Sequence, residues 1–397
     1  MRVNTGKGTI SVMALVAIWS VSAIVSLPGL AVSPMLDDMQ SIFPHASELE
    51  VEMLESLPSL LIIPFMLLAG RWATRGNKLR LLVVGTTIFL VSGIWCMLAT
   101  TLVELIAASA LVGVGAGMII PLSTGLVVDY FTGDRRVKQL GISSAVNNLT
   151  LVVATSAVGY LADVEWHLAF AVYLLPAVTL MLIPALRRAT PAPEPSTSAQ
   201  NRQTKLNVKV IIGLVLFYFA ITYTSLIVTY NTSYVASLAG MRSSDAGIVI
   251  SLFFLAIMAP GLMLNRIVAI FGRMTNLWSL LAMSLGLLLM SLPHPTYVTL
   301  ASGAILTGLG YGVMQPIIYD KAATNAPPHL ATLALAIVMT TNYLAILVAP
   351  FMIDAIDRAF HATSHTFAYL FNSIVVLIIA IVTVFTYREN RVLGSDD

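Results

Sequence analysis

The stretch GVGAGMIIP, Gly113 to Pro121, is answered by GLGYGVMQP, Gly308 to Pro316. Both read G-x-G-x-G-x-x-x-P, at an offset of 195 residues. The same offset carries Arg71 onto Arg266 and Asn147 onto Asn342. Glycine and proline are common in lipid-embedded helices, so one match carries little, but three at one offset predict two related halves. Gly113 and Gly117, like Gly308 and Gly312, have the GxxxG spacing that lets two helices approach closely. Pro121 and Pro316 then permit a bend. These positions read as packing elements, and a phosphate-binding glycine loop is excluded because the glycines lie inside apolar runs.

Working outward, 58% of the 397 residues are hydrophobic and only 10% are charged. A soluble domain carries about 25% charged residues, so this chain is short of the charged skin that water demands. Twelve apolar stretches are long enough to cross a bilayer, at 9–32, 52–71, 79–99, 103–127, 139–162, 167–186, 209–236, 246–268, 275–292, 296–318, 330–353 and 365–386. Their length and lack of alternation exclude barrel strands. The expected fold is an all-α polytopic membrane protein, with twelve transmembrane helices in two pseudo-symmetric six-helix bundles. The Pro-, Ser- and Thr-rich stretch RRATPAPEPSTSAQNRQTK marks a cytoplasmic linker. It divides the chain into bundles over 1–187 and 208–397, with 188–207 between them. The first run is longer than a signal-peptide core and reads as a retained span.

With both termini cytoplasmic, 19 of the 21 Lys and Arg fall on the inner side, and only Arg242 and Arg358 fall outside. The positive-inside rule therefore places the chain as a multi-pass protein of the plasma membrane in that orientation. Net charge is +2 with no basic run, which excludes nucleic acid as a partner. Cys96 stands alone, so no intrachain disulfide or cysteine-based metal site can form. No metal-ligand or triad spacing occurs among the six His, and no phosphate-binding motif for ATP is present. Neither a cofactor nor an enzymatic reaction is expected.

Twelve spans, a central linker and repeated halves resemble the major facilitator superfamily, and local motifs carry the likeness. GRWATRGNKLRLL, Gly70 to Leu82, is similar to that family's signature loop after the second span, matching at Gly70, Arg75, Gly76 and Lys78, with Thr74 where the motif has Asp. NRIVAIFGRM, Asn265 to Met274, keeps Phe271, Gly272 and Arg273 in the second half. Gly115 to Gly141 resembles the drug-efflux branch. Where proton antiporters of that branch have an Arg four residues before the glycine matched by Gly113, this chain has Ser109, and of the fifth-span antiporter signature only Gly159 remains. The resemblance implies a gating role for Gly70, Arg71, Arg75, Gly76, Lys78, Arg266, Gly272 and Arg273. It also implies a substrate cavity lined by spans 1, 4, 7 and 10 with 2, 5, 8 and 11.

Uncharged polar and aromatic residues concentrate on those spans, and Trp19, Ser26, Asn147, Asn148, Thr222, Tyr223, Tyr311, Gln315, Asn342 and Tyr343 are the cavity candidates. An amide both donates and accepts, so Asn147, Gln315 and Asn342 suit a neutral polar ligand. Trp19, Tyr223 and Tyr311 suit an aromatic one. Helix-to-helix hydrogen bonding, worth about 0.6 kcal/mol per bond, is the plainer use of the same groups.

No charged residue falls at mid-span. Glu55 lies 16 residues above Arg71, about 24 Å at 1.5 Å per residue. That is near the outer edge of a roughly 30 Å core. It is expected to be either a solvated outer-end carboxylate or a proton-coupling group. Asp129, at the inner end of span 4, is the second coupling candidate and an expected partner of Arg71 or Arg75.

The expected function is secondary transport of a small organic molecule by alternating access, directed outward, with protons as the candidate coupling ion and a monomer as the working unit. An uptake permease or uncoupled facilitator is the alternative within transport, and a non-transporting receptor or scaffold is the alternative outside it.

Overall fold

The computed structural model describes residues 2–6, 8–75, 77–131, 133–187, 208–325, 331–362 and 364–389. The linker expected at 188–207 lies outside them. The chain folds as two compact units, Met1–Gln200 and Asn201–Asp397.

The first unit opens with an antiparallel hairpin of β1 (Arg2–Asn4) and β2 (Thr9–Ser11), Val3 facing Ile10. The Arg135 guanidinium donates to the Asn4 carbonyl at 2.8 Å and pins the hairpin. Helix α1 (Val12–Ala23) starts where the Ser11 hydroxyl accepts from the Ala14 N–H. It ends well short of the expected 9–32 span. Pro28 has no N–H to continue a helix, and Gly29 sits at φ +78°, a left-handed conformation suited to glycine. The chain turns there, makes a 3-10 segment at Leu30–Met35, and continues as α2 (Leu36–Ile42). A Cβ on Gly29 would lie 2.1 Å from the Glu55 carbonyl oxygen, so the turn is pressed directly onto the next span.

That span is α3 (Glu48–Arg75), followed by α4 (Lys78–Leu98), α5 (Leu102–Tyr130), α6 (Gly133–Ala162), the short α7 (Trp166–Ala169), a 3-10 segment and α8 (Leu175–Arg187). Caps fix the starts. Asn77 accepts from the Leu79 and Arg80 N–H groups, and Thr101 with Glu104 forms a reciprocal capping box. The second unit holds α9 (Val208–Leu238), α10 (Ser243–Phe271), α11 (Thr275–Met290), α12 (Tyr297–Thr324), α13 (Ala331–Phe360) and α14 (Thr366–Glu389). Among the described residues ten helical segments are long and apolar enough to cross a membrane. The shorter apolar helices Val12–Ala23 and Thr275–Met290 complete twelve. The molecule is an all-α polytopic membrane protein.

The glycine repeat is a pair of matching seams. In α5, a Cβ on Gly113 would meet the Pro58 carbonyl oxygen at 2.2 Å, and one on Gly117 would meet that of Ile62 at 2.7 Å, both on α3. In α12, Gly308 abuts the Phe253 carbonyl and Gly312 that of Ile257, both on α10, at 2.5 and 2.3 Å. Pro58 and Phe253, and Ile62 and Ile257, are related by the same offset as the glycines. The middle glycines face the other way, Gly115 toward Gly85 and Phe89 of α4 and Gly310 toward Ser279 and Met283 of α11. Each run of three glycines thus admits two neighbouring helices to backbone contact. Both α5 and α12 run on through Pro121 and Pro316.

Candidate functional site

Three helices of the second unit bring their polar residues to one point. From α9 come Tyr218 and Thr222, from α12 Tyr311, Gln315 and Tyr319, and from α13 Asn342. Spacings of four place Tyr218 with Thr222, and Tyr311 with Gln315 and Tyr319, on single helix faces. The Tyr218 hydroxyl lies 2.8 Å from that of Tyr319 and 3.2 Å from that of Tyr311. Gln315 Nε2 donates to the oxygens of Tyr218 at 3.0 Å and Tyr319 at 3.2 Å. Tyr311 donates to Asn342 Oδ1 at 3.5 Å, and its oxygen is 3.3 Å from that of Thr222. The Tyr218 and Tyr311 rings are nearly parallel, with centroids 6.5 Å apart, and Tyr319 meets Tyr218 edge-on. Tyr218 and Tyr311 are buried, while Gln315, Tyr319 and Asn342 are half-buried. Tyr343 is half-buried within electrostatic range of Tyr319, and Tyr223 is buried on α9.

The first unit's candidates are more scattered. The Trp19 indole N–H donates to Gln139 Oε1 at 3.0 Å. Asn147 Nδ2 donates to Ser26 Oγ at 2.9 Å, joining α6 to the broken stretch after α1. Its Oδ1 is buried without a partner. Asn148 spends its amide on the Ser144 carbonyl of its own helix and stands apart.

Glu55 corrects the sequence-based placement. It is not a solvated outer-end carboxylate; its exposure is 0%. The physical reason is the break in the first span. Gly29 and the 3-10 segment after it fold over α3 at Glu55, and the Ser33 hydroxyl donates to Glu55 Oε2 at 2.7 Å. Tyr173, also fully buried, lies in electrostatic range of the carboxylate. One residue along α3, the Leu54 carbonyl accepts from the Ser109 hydroxyl at 2.8 Å, so the position where antiporters of the drug-efflux branch have Arg holds a small neutral group here. The stretches 8–70, 81–134 and 139–186 contain no Lys or Arg, so none of them supplies this carboxylate with a fixed counter-charge.

The family model described as Major Facilitator Superfamily matches residues 10–350. The chain belongs to the Major Facilitator Superfamily. It is a multi-pass membrane transporter and not an enzyme. Among superfamily relatives, the Multidrug transporter protein MdtP of Bacillus subtilis is 30% identical over 119 residues, 30% of this chain and 21% of that protein. Multidrug resistance protein 1 of the same organism is 24% identical over 275 residues, 66% of this chain and 68% of that one. A crystal structure of the peptide transporter POT shares the fold with a TM-score of 0.77 over 95% of both chains, at 14% identity.

The superfamily's signature loop meets the end of α5 through an ion pair. Asp129, at the end of α5, is held by Lys78 at the start of α4, whose Nζ lies 2.9 and 2.7 Å from the two carboxylate oxygens. The Asn77 cap starts α4 at Lys78. The partners expected for Asp129 were Arg71 or Arg75. Gly76 lies outside the described residues, as do the side chains of Arg71, Arg75 and Arg273. Gly70 lies within α3, Arg266 is exposed on α10, and Gly272 ends α10 at φ +50°.

Sequence reasoning named Thr222, Tyr311, Gln315 and Asn342 but passed over Tyr218 and Tyr319 as site residues, though the spacing of four from Thr222 and Gln315 was readable. It also missed Gln139 and Ser33. The Pro28–Gly29 pair inside the first apolar run was the available signal for the turn that buries Glu55.

Proposed function

We propose that this superfamily member is a secondary active transporter that exports small organic molecules by alternating access, with Glu55 carrying the coupling proton. The observation behind this reading is the complete burial of Glu55 inside a transmembrane helix. An ionised carboxylate in an apolar interior is costly unless it is compensated, and intramembrane acids commonly serve proton relays. A proton neutralises it without any fixed cation. Asp129 is the weaker carrier, because Lys78 already compensates its charge; we assign that pair to holding the loop after α3 at the membrane's inner face.

The tyrosine and amide cluster of the second unit supplies the substrate contacts there; in the first unit Asn147 and Ser26 are the candidates. Export, a plasma-membrane location, cytoplasmic termini, a monomeric working unit and a two-bundle division around 188–207 belong to the same proposal, supported by the distribution of Lys and Arg and by the multidrug relatives.

The test is flux into proteoliposomes of radiolabelled neutral and cationic aromatic compounds, with and without a pH gradient. The expected result is saturable exchange accelerated by the gradient, with the acceleration lost in Glu55→Gln while passive equilibration persists. Gradient-independent exchange in the unmodified protein would make it a facilitator. Gradient-driven exchange that survives Glu55→Gln would remove Glu55 as carrier, and absence of saturable flux would favour a receptor or scaffold.

A further inference from the structure

The phenols of the second unit form a hydrogen-bonded chain with an amide at each end. Its order is Gln315, Tyr319, Tyr218, Tyr311, Asn342, with Gln315 also touching Tyr218. Each phenol has one proton to donate. In the arrangement observed, Tyr311 gives its proton to Asn342 Oδ1. Tyr218 then gives its own to Tyr311, and Tyr319 gives its own to Tyr218. Both oxygens facing Gln315 have spent their protons, so Gln315 must approach them with its N–H groups, and it does. In this arrangement Thr222 Oγ1, 3.3 Å from the Tyr311 oxygen, donates to it as well. The two ends therefore carry opposite polarity.

The free half of each amide follows from this. Gln315 Oε1 and Asn342 Nδ2 make no hydrogen bond to protein among the described residues, and both side chains are half-buried. One end of the cluster offers an acceptor and the other a donor. No Asp, Glu, Lys or Arg lies between Lys209 and Arg242 on α9, none lies on α12 before Asp320, and none lies on α13 before Asp354. The remaining surface of the cluster is aromatic.

We infer that this cluster is a ligand subsite for a neutral aromatic molecule that donates a hydrogen bond at one end and accepts one at the other, with Tyr218 and Tyr311 as positioning residues that lock the two amides in opposite orientations. The inference rests on the transport reading and names the substrate class for it. A ligand with two acceptors leaves one protein group unpaired on burial, and a site built to bond a hydroxyl rejects the analogue that lacks it.

The experiment is equilibrium binding of radiolabelled para-hydroxyacetophenone and para-methoxyacetophenone to the purified full chain in detergent, beside flux of tetraphenylphosphonium in proteoliposomes. The hydroxy compound has a donor and an acceptor at opposite ends, and the methoxy compound has only acceptors. The unmodified protein is expected to hold the hydroxy compound about tenfold more tightly. Tyr311→Phe keeps the ring but cuts the proton chain, and is expected to bring the ratio near one. Asn342→Leu takes away the acceptor that fixes the direction of the chain, so it is expected to weaken both compounds and also to bring the ratio toward one; it serves if Tyr311→Phe does not fold. Equal binding of the two compounds by the unmodified protein overturns the inference, as does a ratio unmoved in folded Tyr311→Phe or in folded Asn342→Leu. Tetraphenylphosphonium flux without binding of the hydroxy compound overturns it while leaving transport standing. Absence of saturable flux for any compound removes the transport reading itself.

Discussion

The two halves of this transporter share a scaffold and differ in what they bury. The glycine seams of α3 against α5 and of α10 against α12 use equivalent residues at equivalent depth, down to the carbonyls of Pro58 and Phe253. The polar residues do not follow. The repeat partner of Glu55 is Ile250, which is equally buried. The partners of Tyr218, Tyr311, Gln315 and Tyr319 are Ala23, Ala116, Ile120 and Thr124. Among the substrate-site candidates only the asparagine pair, Asn147 and Asn342, keeps the same residue in both. Helix packing constrains every copy of the repeat alike. What each copy buries beyond that packing differs, an acid at Glu55 in the first and phenols at Tyr218 and Tyr311 in the second.

The largest expected effect tests the shared part. Gly113→Leu and Gly312→Leu each drive a side chain into a neighbouring backbone, and neither variant should yield folded protein. The milder Gly113→Ala and Gly312→Ala are expected to lose about 1–3 kcal/mol each, read as a fall in detergent melting temperature. Loss at one seam alone would break the equivalence.

The next test addresses the asymmetry. Ile250→Glu places a second acid at the repeat position without the Ser33 contact, and should cost several kcal/mol. Glu55→Ile should be tolerated in folding while abolishing gradient-driven flux. If Ile250→Glu is as stable as the parent, the surroundings of Glu55 are not specialised for a carboxylate.

The asparagine pair comes third. Asn147→Leu and Asn342→Leu are each expected to weaken substrate binding by about threefold to tenfold, the worth of one hydrogen bond. Equilibrium binding checks this. A strong effect at Asn342 with none at Asn147 would confine recognition to the second unit.

The smallest effect belongs to the inner end. Lys78→Met removes a partly exposed ion pair and should change stability by no more than about 1 kcal/mol, with any larger consequence appearing in the rate of exchange. A melting-temperature loss comparable to that of Gly113→Ala would make the pair a structural element rather than a loop fastening.

How much of this was readable in the sequence follows the same division. The seams were legible because a GxxxG spacing has one dominant use in lipid and appears twice. The membrane fold was legible because a chain this poor in charge has few other options. The depth of Glu55 was not, because counting residues along α3 gives its height but not what lies beside it. The covering segment is set by the turn at Pro28 and Gly29 in another span. The contact of Lys78 with Asp129 was not legible, because a cap fixes where a helix begins, a matter of one or two residues that loop motifs do not resolve. Tyr311, Gln315 and Asn342 were identified as polar groups, but the polarity of each amide depends on protons shared across three helices.

One buried side chain has a practical value. Cys96, the only thiol in the chain, is fully enclosed within α4 and its neighbours. Maleimide reagents and spin labels should leave the native protein untouched, so an introduced cysteine becomes the sole reporter without prior engineering. Gly141 on α6 and Gly213 on α9, both exposed, where an added Cβ meets no neighbouring atom within 4 Å and the backbone is helical, are natural places to test such probes.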